Sequence, residues 1–285
     1  MALQLALSLQ INRKFRIIVL TKENGNGSFT IKDKDHKFTI EYSKLDKDNK
    51  FIFKAENKAI SKMKLNNLRF GEVCDGYKGD VNLALKKSFF TLERGKDTLP
   101  LVRGIQISRY GYNPGNEFCK LSALNKDQTA NNRIVFQEVS NMGLATRVKG
   151  TILKNVICGD TCNLLFSKKS NYSNELILGI LNSSCVNYFF KFYNQTNHVP
   201  IGEVKRIPFP NRIPSSIAQR IQSSVRHILE KKRHNTDIDT SNEEEEINYL
   251  VYHLYGLTYD EVLIVDPQTP ITREEYEKAF NGIES

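Results

Sequence analysis

The chain has 285 residues, 40% of them hydrophobic and 26% charged, with a formal net charge of +9. That balance excludes disordered and collagen-like classes and allows one large domain or two modest ones around a real core. Five scattered cysteines (Cys74, Cys119, Cys158, Cys162 and Cys185) have no second Cys or His pair at zinc spacing, which points to reduced, buried thiols and not to a metal site.

Residues 1–11 (MALQLALSLQI) have no basic region ahead of their apolar run and no small-residue cleavage site, so no signal peptide is expected and the chain reads as cytoplasmic. The apolar run 15–20, the NGNG turn at 24–27, the alternating stretch 28–32, a second turn at 33–35 and a further alternating stretch at 37–42 predict a β-meander over residues 1–55. Apolar spacing at Ala55, Ala59, Ile60 and Met63 predicts a helix over 54–65. In residues 68–82 (LRFGEVCDGYKGDVN), Gly71, Gly76 and Gly79 interrupt short strand-like runs and mark tight turns or close backbone approaches. Strands are expected at 89–92 and 101–107. The segment 111–132, rich in Gly, Asn, Asp and Pro, reads as a long surface loop. Two more strands are expected at 133–139 and 147–156, with a turn at 141–145.

Residues 176–193 (LILGILNSSCVNYFFKFY) read as one long apolar helix. Asn182, Ser183, Ser184 and Asn187 in its middle argue for burial and against a membrane span. Ile217, Ile221, Val225, Ile228 and Leu229 give residues 216–233 one apolar helical face. After a polar loop at 234–242, Ser241 and Glu244 form a capping-box pattern ahead of Ile247, Leu250, Val251 and Leu254. Gly256 is the expected C-cap, and Thr258 with Glu261 opens another short helix. The fold class is therefore α+β: a β-meander over 1–55, a β-rich core over 56–170, and a helical part over 171–285 with an acidic tail.

Charge is distributed unevenly. Residues 243–285 carry 11 acids and two bases, leaving 39 of the 41 bases and 21 of the 32 acids in residues 1–242, a net of +18. A surplus of that size suits a polyanion partner and makes binding steeply salt-dependent. The acidic run 243–246 reads as a partner for a helix N-terminal dipole.

Several segments, in order, resemble a known family. Residues 68–82 are similar to its opening strand and turn; PLVRGIQISRYGY at 100–112 resembles its Leu-Arg-Gly-x-x-Ile-x-Arg-Tyr step. RIVFQEV at 133–139 resembles an Ile-Val-x-Gln-Glu strand, and 151–164 the strand and Cys/Asn-containing turn that follow. The apolar helix with its Asn-Ser step and then VPIGEVKRIPFP at 199–210 (Gly-x-Val/Leu-Lys-x-Ile-Pro-x-Pro) close the set. Together they resemble the target-recognition, or specificity, domain of TaqI-like adenine-specific DNA methyltransferases and type II restriction–modification enzymes over about residues 60–265. Residues 1–55 are similar to the last strands of a methyltransferase domain and its exit linker.

The resemblance implies sequence-specific recognition of double-stranded DNA, without methyl transfer by this chain. Such a methyltransferase needs a glycine-rich cradle for S-adenosylmethionine and an Asn/Asp/Ser-Pro-Pro-Tyr/Phe tetrapeptide. No Pro-Pro dipeptide occurs in the sequence. S-adenosylmethionine, and any magnesium for cleavage, would then belong to a methyltransferase or nuclease domain in cis or in trans. No membrane partner is expected. Two alternatives stay open: a magnesium-dependent restriction endonuclease using the Glu203-Val204-Lys205 tripeptide, and a protein-docking specificity subunit whose acidic tail, 243–285, binds a catalytic partner.

Candidate DNA contacts follow from side-chain chemistry. Arg103 and Arg109 offer guanidinium forks for guanine or phosphate, Gly104 between them allows close backbone approach, and Tyr110 lies next to Arg109. Lys78, Gly79, Asp80 and Asn82 form a short loop that mixes a phosphate ligand with base-edge donors and acceptors. Gln137 suits adenine and Glu138 suits cytosine N4. Arg147 and His198 are further candidates, and Lys205 and Arg206 read as phosphate clamps at a hinge that set register without reading sequence.

Overall fold

The computed structural model describes residues 6–11, 14–22, 28–32, 37–41, 56–65, 67–124, 129 and 131–278, and the chain divides into two compact units, Met1–Asn57 and Lys58–Ser285. In the first unit, β1 (Ala6–Ile11), β2 (Lys14–Lys22), β3 (Ser28–Lys32) and β4 (Lys37–Glu41) pair in sequence order, each antiparallel to the next. The meander has one strand more than the sequence reading assigned, although Leu7, Leu9 and Ile11 alternate as a strand requires. The turns at 24–27 and 33–35 lie outside the described residues.

The second unit starts with α1 (Lys58–Lys64), β5 (Leu68–Arg69), α2 (Phe70–Val73) and β6 (Cys74–Lys78). Next come β7 (Phe90–Thr91), β8 (Thr98–Val102), β9 (Ile107–Ser108), β10 (Gly111–Tyr112) and β11 (Phe118–Lys120). β12 (Arg133–Gln137), β13 (Gly150–Leu153), β14 (Ile157–Cys158) and β15 (Cys162–Ser167) complete two four-stranded sheets, ordered β13-β12-β15-β6 and β14-β8-β11-β7. Strand β12 owes its central place to four consecutive buried residues, Arg133 to Phe136. Its side chains alternate across the sheet, so Ile134 and Phe136 enter the large core against the helices while Val135 enters a smaller cluster with Val102, Cys158 and Leu164.

Residues 111–132 are not the single surface loop their composition suggests. β10 pairs with β9, β11 is sandwiched between β8 and β7, and a 3-10 turn follows at Leu121–Ala123. The signal was missed because strands of two or three residues are too short to show a period. Cys119 and Ala123 still reach a core cluster with Val81, Leu101 and Ile157.

The apolar stretch 176–193 is also two helices and not one: α3 (Asn174–Leu181) and α4 (Ser184–Tyr193). Asn182 makes the break. Its side-chain amide forms a two-bond pair with the Gly150 peptide, donating to the carbonyl at 3.0 Å and accepting from the N–H at 2.9 Å, while the Ser183 hydroxyl caps α4 by accepting from the Val186 N–H. The polar step therefore ties the helices to β13. Next come α5 (Ile201–Val204), β16 (Pro208–Phe209), α6 (Ser215–His234), α7 (Ser241–Leu254), α8 (Tyr259–Val265) and α9 (Arg273–Lys278). Residues of β12, β15, α3, α4, α6, α7 and α8 share one hydrophobic core, so strands and C-terminal helices are a single packed body.

At the start of α7 the N-cap is Thr240 and Ser241 is already helical, so the expected Ser241 box is not formed. Thr258 and Glu261 do form theirs at α8. Gly256, at φ +63°, ends α7 in a Schellman motif, with its N–H on the His253 carbonyl and the Leu257 N–H on Tyr252. No described helix is long and apolar enough to cross a membrane. All five cysteines are buried and unbridged.

His253 on α7 stacks on the Tyr276 ring with centroids 4.1 Å apart, and burial pushes its pKa down to about 4. The folded state thus binds this proton less readily than the unfolded chain, whose histidine titrates near ~6.5. The associated stability is complete above that pH and is lost as pH falls from there toward 4. We expect the urea midpoint to decline between pH 7 and 5, and to decline less for His253→Phe. Parallel pH profiles for the two proteins would remove His253 as the cause.

Candidate nucleic-acid interface

Thr161, in the turn between β14 and β15, gathers several sequence-distant segments at one edge of the sheets. Its hydroxyl accepts from the Gly104 N–H at 2.9 Å and its carbonyl from the Glu138 N–H at 2.9 Å. The turn after β6 joins them: the Gly79 N–H donates to Cys162 and the Asp80 N–H to Cys158. The segment 196–199 closes the group, with Val199 N–H on the Glu138 carbonyl and Ser140 N–H on Asn197. The segments that carry Lys78, Gly79, Arg103, Gly104, Gln137, Glu138 and His198 are therefore brought together although they span 120 residues of sequence.

What these residues touch differs from the expectation in several places. Gly104 is buried against Thr161; a Cβ there would lie 2.3 Å from the Thr161 carbonyl oxygen. Its missing side chain serves approach within the protein and not approach to a duplex. Gly79 adopts φ +54°, and a Cβ there would lie 2.7 Å from the Asp160 backbone. Glu138 is also buried; it accepts from Lys78 Nζ at 3.2 Å on one oxygen and from Asn163 Nδ2 at 2.6 Å on the other. A carboxylate held in this way is a structural hub for Lys78, and His198 Nδ1 stands 3.9 Å away. Gln137 donates to the Ile107 carbonyl at 2.8 Å. Arg103 makes a two-pronged ion pair with Glu117, at 2.7 and 3.0 Å, and that guanidinium holds the Glu117 carboxyl below its ordinary range.

Arg147 and Tyr110 do not reach the surface; each is 1% exposed. The Arg147 guanidinium donates to the carbonyls of Ser140, Asn194, Thr196 and His198 and to the Asn194 side chain, locking the 138–140 and 194–198 segments together beneath the candidate surface. Tyr110 is a core residue of the β9–β10 hairpin, at φ 59°, with its N–H on the Gly150 carbonyl. Arg109 next to it pairs with Glu244 of α7 at 3.0 Å. The Asn82 side chain caps its own turn by accepting from the Ala84 and Leu85 N–H groups.

The segment 199–210, expected to be a hinge, is spliced into the fold. Pro208 and Phe209 pair with Arg69 and Leu68, Phe209 packs edge-on against Phe70 and Tyr172, and the Tyr255 hydroxyl donates to the Pro208 carbonyl. Lys205 donates to Asp75 at 2.9 Å and to the Gly76 carbonyl at 3.0 Å, and Arg206 beside it is exposed on the surface. Glu203 accepts from the Asn194 side chain. The Glu203–Lys205 tripeptide thus sits on and just after a short helix, with both charged side chains engaged elsewhere. Among the described residues, no group of three or more His, Cys, Asp or Glu is placed to hold a metal ion.

The acidic tail is also paired within the chain. Glu243 meets Lys231, Glu244 meets Arg109, Glu246 meets Arg220, Glu261 meets Lys62, and Asp260 meets Arg273. Sequence reasoning missed Thr161, Asn163 and Ile105 altogether. A threonine in a turn, a buried amide and an apolar residue inside an Arg-Gly step carry no signature until the segments are folded together. Ile105, next to the Gly104 that is bonded to Thr161, is 89% exposed.

Residues 99–209 match the family described as the TaqI-like C-terminal specificity domain. The chain is also similar to the solved structure of the Type IIL restriction-modification enzyme MmeI in complex with DNA. The TM-score is 0.51 at 10% identity, over 98% of this chain and 45% of that one. The HsdS subunit from Thermoanaerobacter tengcongensis aligns at TM-score 0.38 and 13% identity, over 69% of this chain and 49% of that one. The Type-I restriction-modification S subunit from M. genitalium aligns at 0.32 and 15%, over 68% and 48%. The chain spans less than half the length of each of these structures. No curated protein matches it.

Proposed function

We infer, from the premise that residues 99–209 are a TaqI-like C-terminal specificity domain, that this chain is a DNA-recognition module of a restriction–modification system. The observation that carries the reading is that the Arg103–Gln106 turn and the end of β12 are both bonded to Thr161 and the 196–199 segment to the end of β12, all inside the region that matches the family, while the β6 turn, from ahead of that region, is bonded to Cys158 and Cys162 on either side of Thr161. A basic body of net +18 over residues 1–242 supports a polyanionic partner. In this reading the module holds a short duplex sequence while an adenine-specific methyltransferase domain, in cis or in trans, flips the target base. S-adenosylmethionine, and magnesium for any cleavage, would be held by that other domain. Lys78, His198 and Arg206 are the exposed basic residues of the sequence-derived set, and in this reading they contact phosphates and set register more than specificity.

The nuclease alternative gains no specific observation, since Glu203 and Lys205 are engaged with Asn194 and Asp75. The docking alternative gains none either, since Glu243, Glu244 and Glu246 are matched by bases of the same chain. Selection of duplexes by the full chain from a random pool tests the proposal. A recovered consensus is expected, with affinity falling steeply between about 50 and 200 mM salt because each phosphate contact contributes roughly −0.9 to the log–log slope. Absence of duplex binding at any salt concentration, or binding indifferent to salt, would overturn it.

A further inference from the structure

Ile105 stands at the tip of the 3-10 turn Gly104–Gln106 and is 89% exposed, more than any other large apolar side chain among the described residues. A lone apolar residue on a loose loop needs no explanation. This turn is not loose. The Gly104 N–H is fixed to Thr161, the Arg103 N–H donates to the Gln106 side-chain oxygen at 2.6 Å, and the Gln106 N–H returns to the Arg103 carbonyl at 3.0 Å. The Asn113 N–H then donates to the Gln106 carbonyl at 2.9 Å, and the Arg103 guanidinium is pinned on both sides by Glu117. The two polar residues flanking the tip are thus consumed in holding it. The side chain left pointing outward is a rigid, β-branched hydrocarbon that has little rotamer freedom left to lose on contact.

Within the DNA-recognition reading, on which this inference rests, an apolar side chain has one sequence-bearing partner on a base edge. That partner is the C5-methyl group of thymine, displayed only in the major groove. Polar groups cannot read it, and a flexible apolar group would read it weakly. We propose that Ile105 is a specificity-determining contact that recognises a thymine methyl in the major groove of the bound duplex.

The test uses the duplex recovered from a random pool by the full chain. Each thymidine is replaced in turn by deoxyuridine, which removes the methyl group and leaves base pairing unchanged. One position should lose about fourfold in affinity, the worth of one methyl group removed from apolar contact. Ile105→Ala, at a site exposed enough to leave folding intact, should bind the thymidine duplex more weakly by a similar factor and lose uracil sensitivity at that position alone. Uracil sensitivity absent at every position, or retained unchanged in Ile105→Ala, would overturn the inference while leaving the DNA-recognition reading standing. A rise in 2-aminopurine fluorescence next to the contact would mean a wedge between bases and would overturn it too. No duplex binding at all would overturn the DNA-recognition reading and this inference with it.

Discussion

Truncation of Arg147 to alanine is expected to cost about 3–5 kcal/mol of folding stability, read as a drop in the urea midpoint at unchanged slope. The guanidinium is 1% exposed and donates to five acceptors, four of them main-chain carbonyls. Removing it leaves those carbonyls in the interior without donors, at roughly 1–3 kcal/mol for each that water cannot reach. Because the carbonyls belong to Ser140, Asn194, Thr196 and His198, the loss should also loosen the candidate DNA surface and weaken duplex binding. Arg147→Lys separates this role from a direct DNA contact. A single ammonium cannot span acceptors that the planar fork reaches from two nitrogens, so lysine should be nearly as destabilising as alanine. A lysine variant that folds normally and loses only DNA affinity would contradict the assignment.

Asp80→Ala is expected to be comparably severe, at about 3–5 kcal/mol, because it strands a buried cation. Asp80 accepts from Arg133 at 2.6 Å and from the Tyr77 hydroxyl at 3.0 Å on one oxygen, and from the Cys158 N–H at 2.8 Å on the other. Arg133 is 1% exposed and spends its other terminal nitrogen on the Val156 carbonyl. The pair fastens the β6 turn, which carries Lys78 and Gly79, to β12 and β14. Combining Asp80→Ala with Arg133→Met removes the orphaned charge as well as its partner, so the double variant should be less destabilised than the two single changes add up to. Strict additivity in denaturant titrations would show that the two residues do not act as a pair.

These two arginines mark where sequence reasoning stopped. Both lie at strand or pre-strand positions where an exposed side chain is the ordinary expectation, and Arg147 reads naturally as a phosphate ligand. Its actual acceptors lie up to 51 residues away along the chain. Glu138 has the same history: its partner Lys78 is 60 residues distant, and nothing local announces the pairing. The α+β class was legible, as were the Thr258 capping box and strands β2, β3, β4 and β12, because periods and caps are local properties. The two- and three-residue strands between 107 and 120 were not, since a period needs more residues than they have.

By itself, then, the sequence determined the class of fold, the excess of positive charge over residues 1–242, and the ordered motifs that resemble a specificity domain, of which residues 99–209 match the family model. These depend on residue type and on spacing along the chain. Only the tertiary structure decided which of the polar residues in those motifs face outward. Gly104, Tyr110, Glu138 and Arg147 are spent on holding segments together, while Ile105 emerges at the tip of a braced turn. The physical reason is that burying a polar group costs free energy unless it finds a partner. The available partners come from segments that meet only once the sheets have formed.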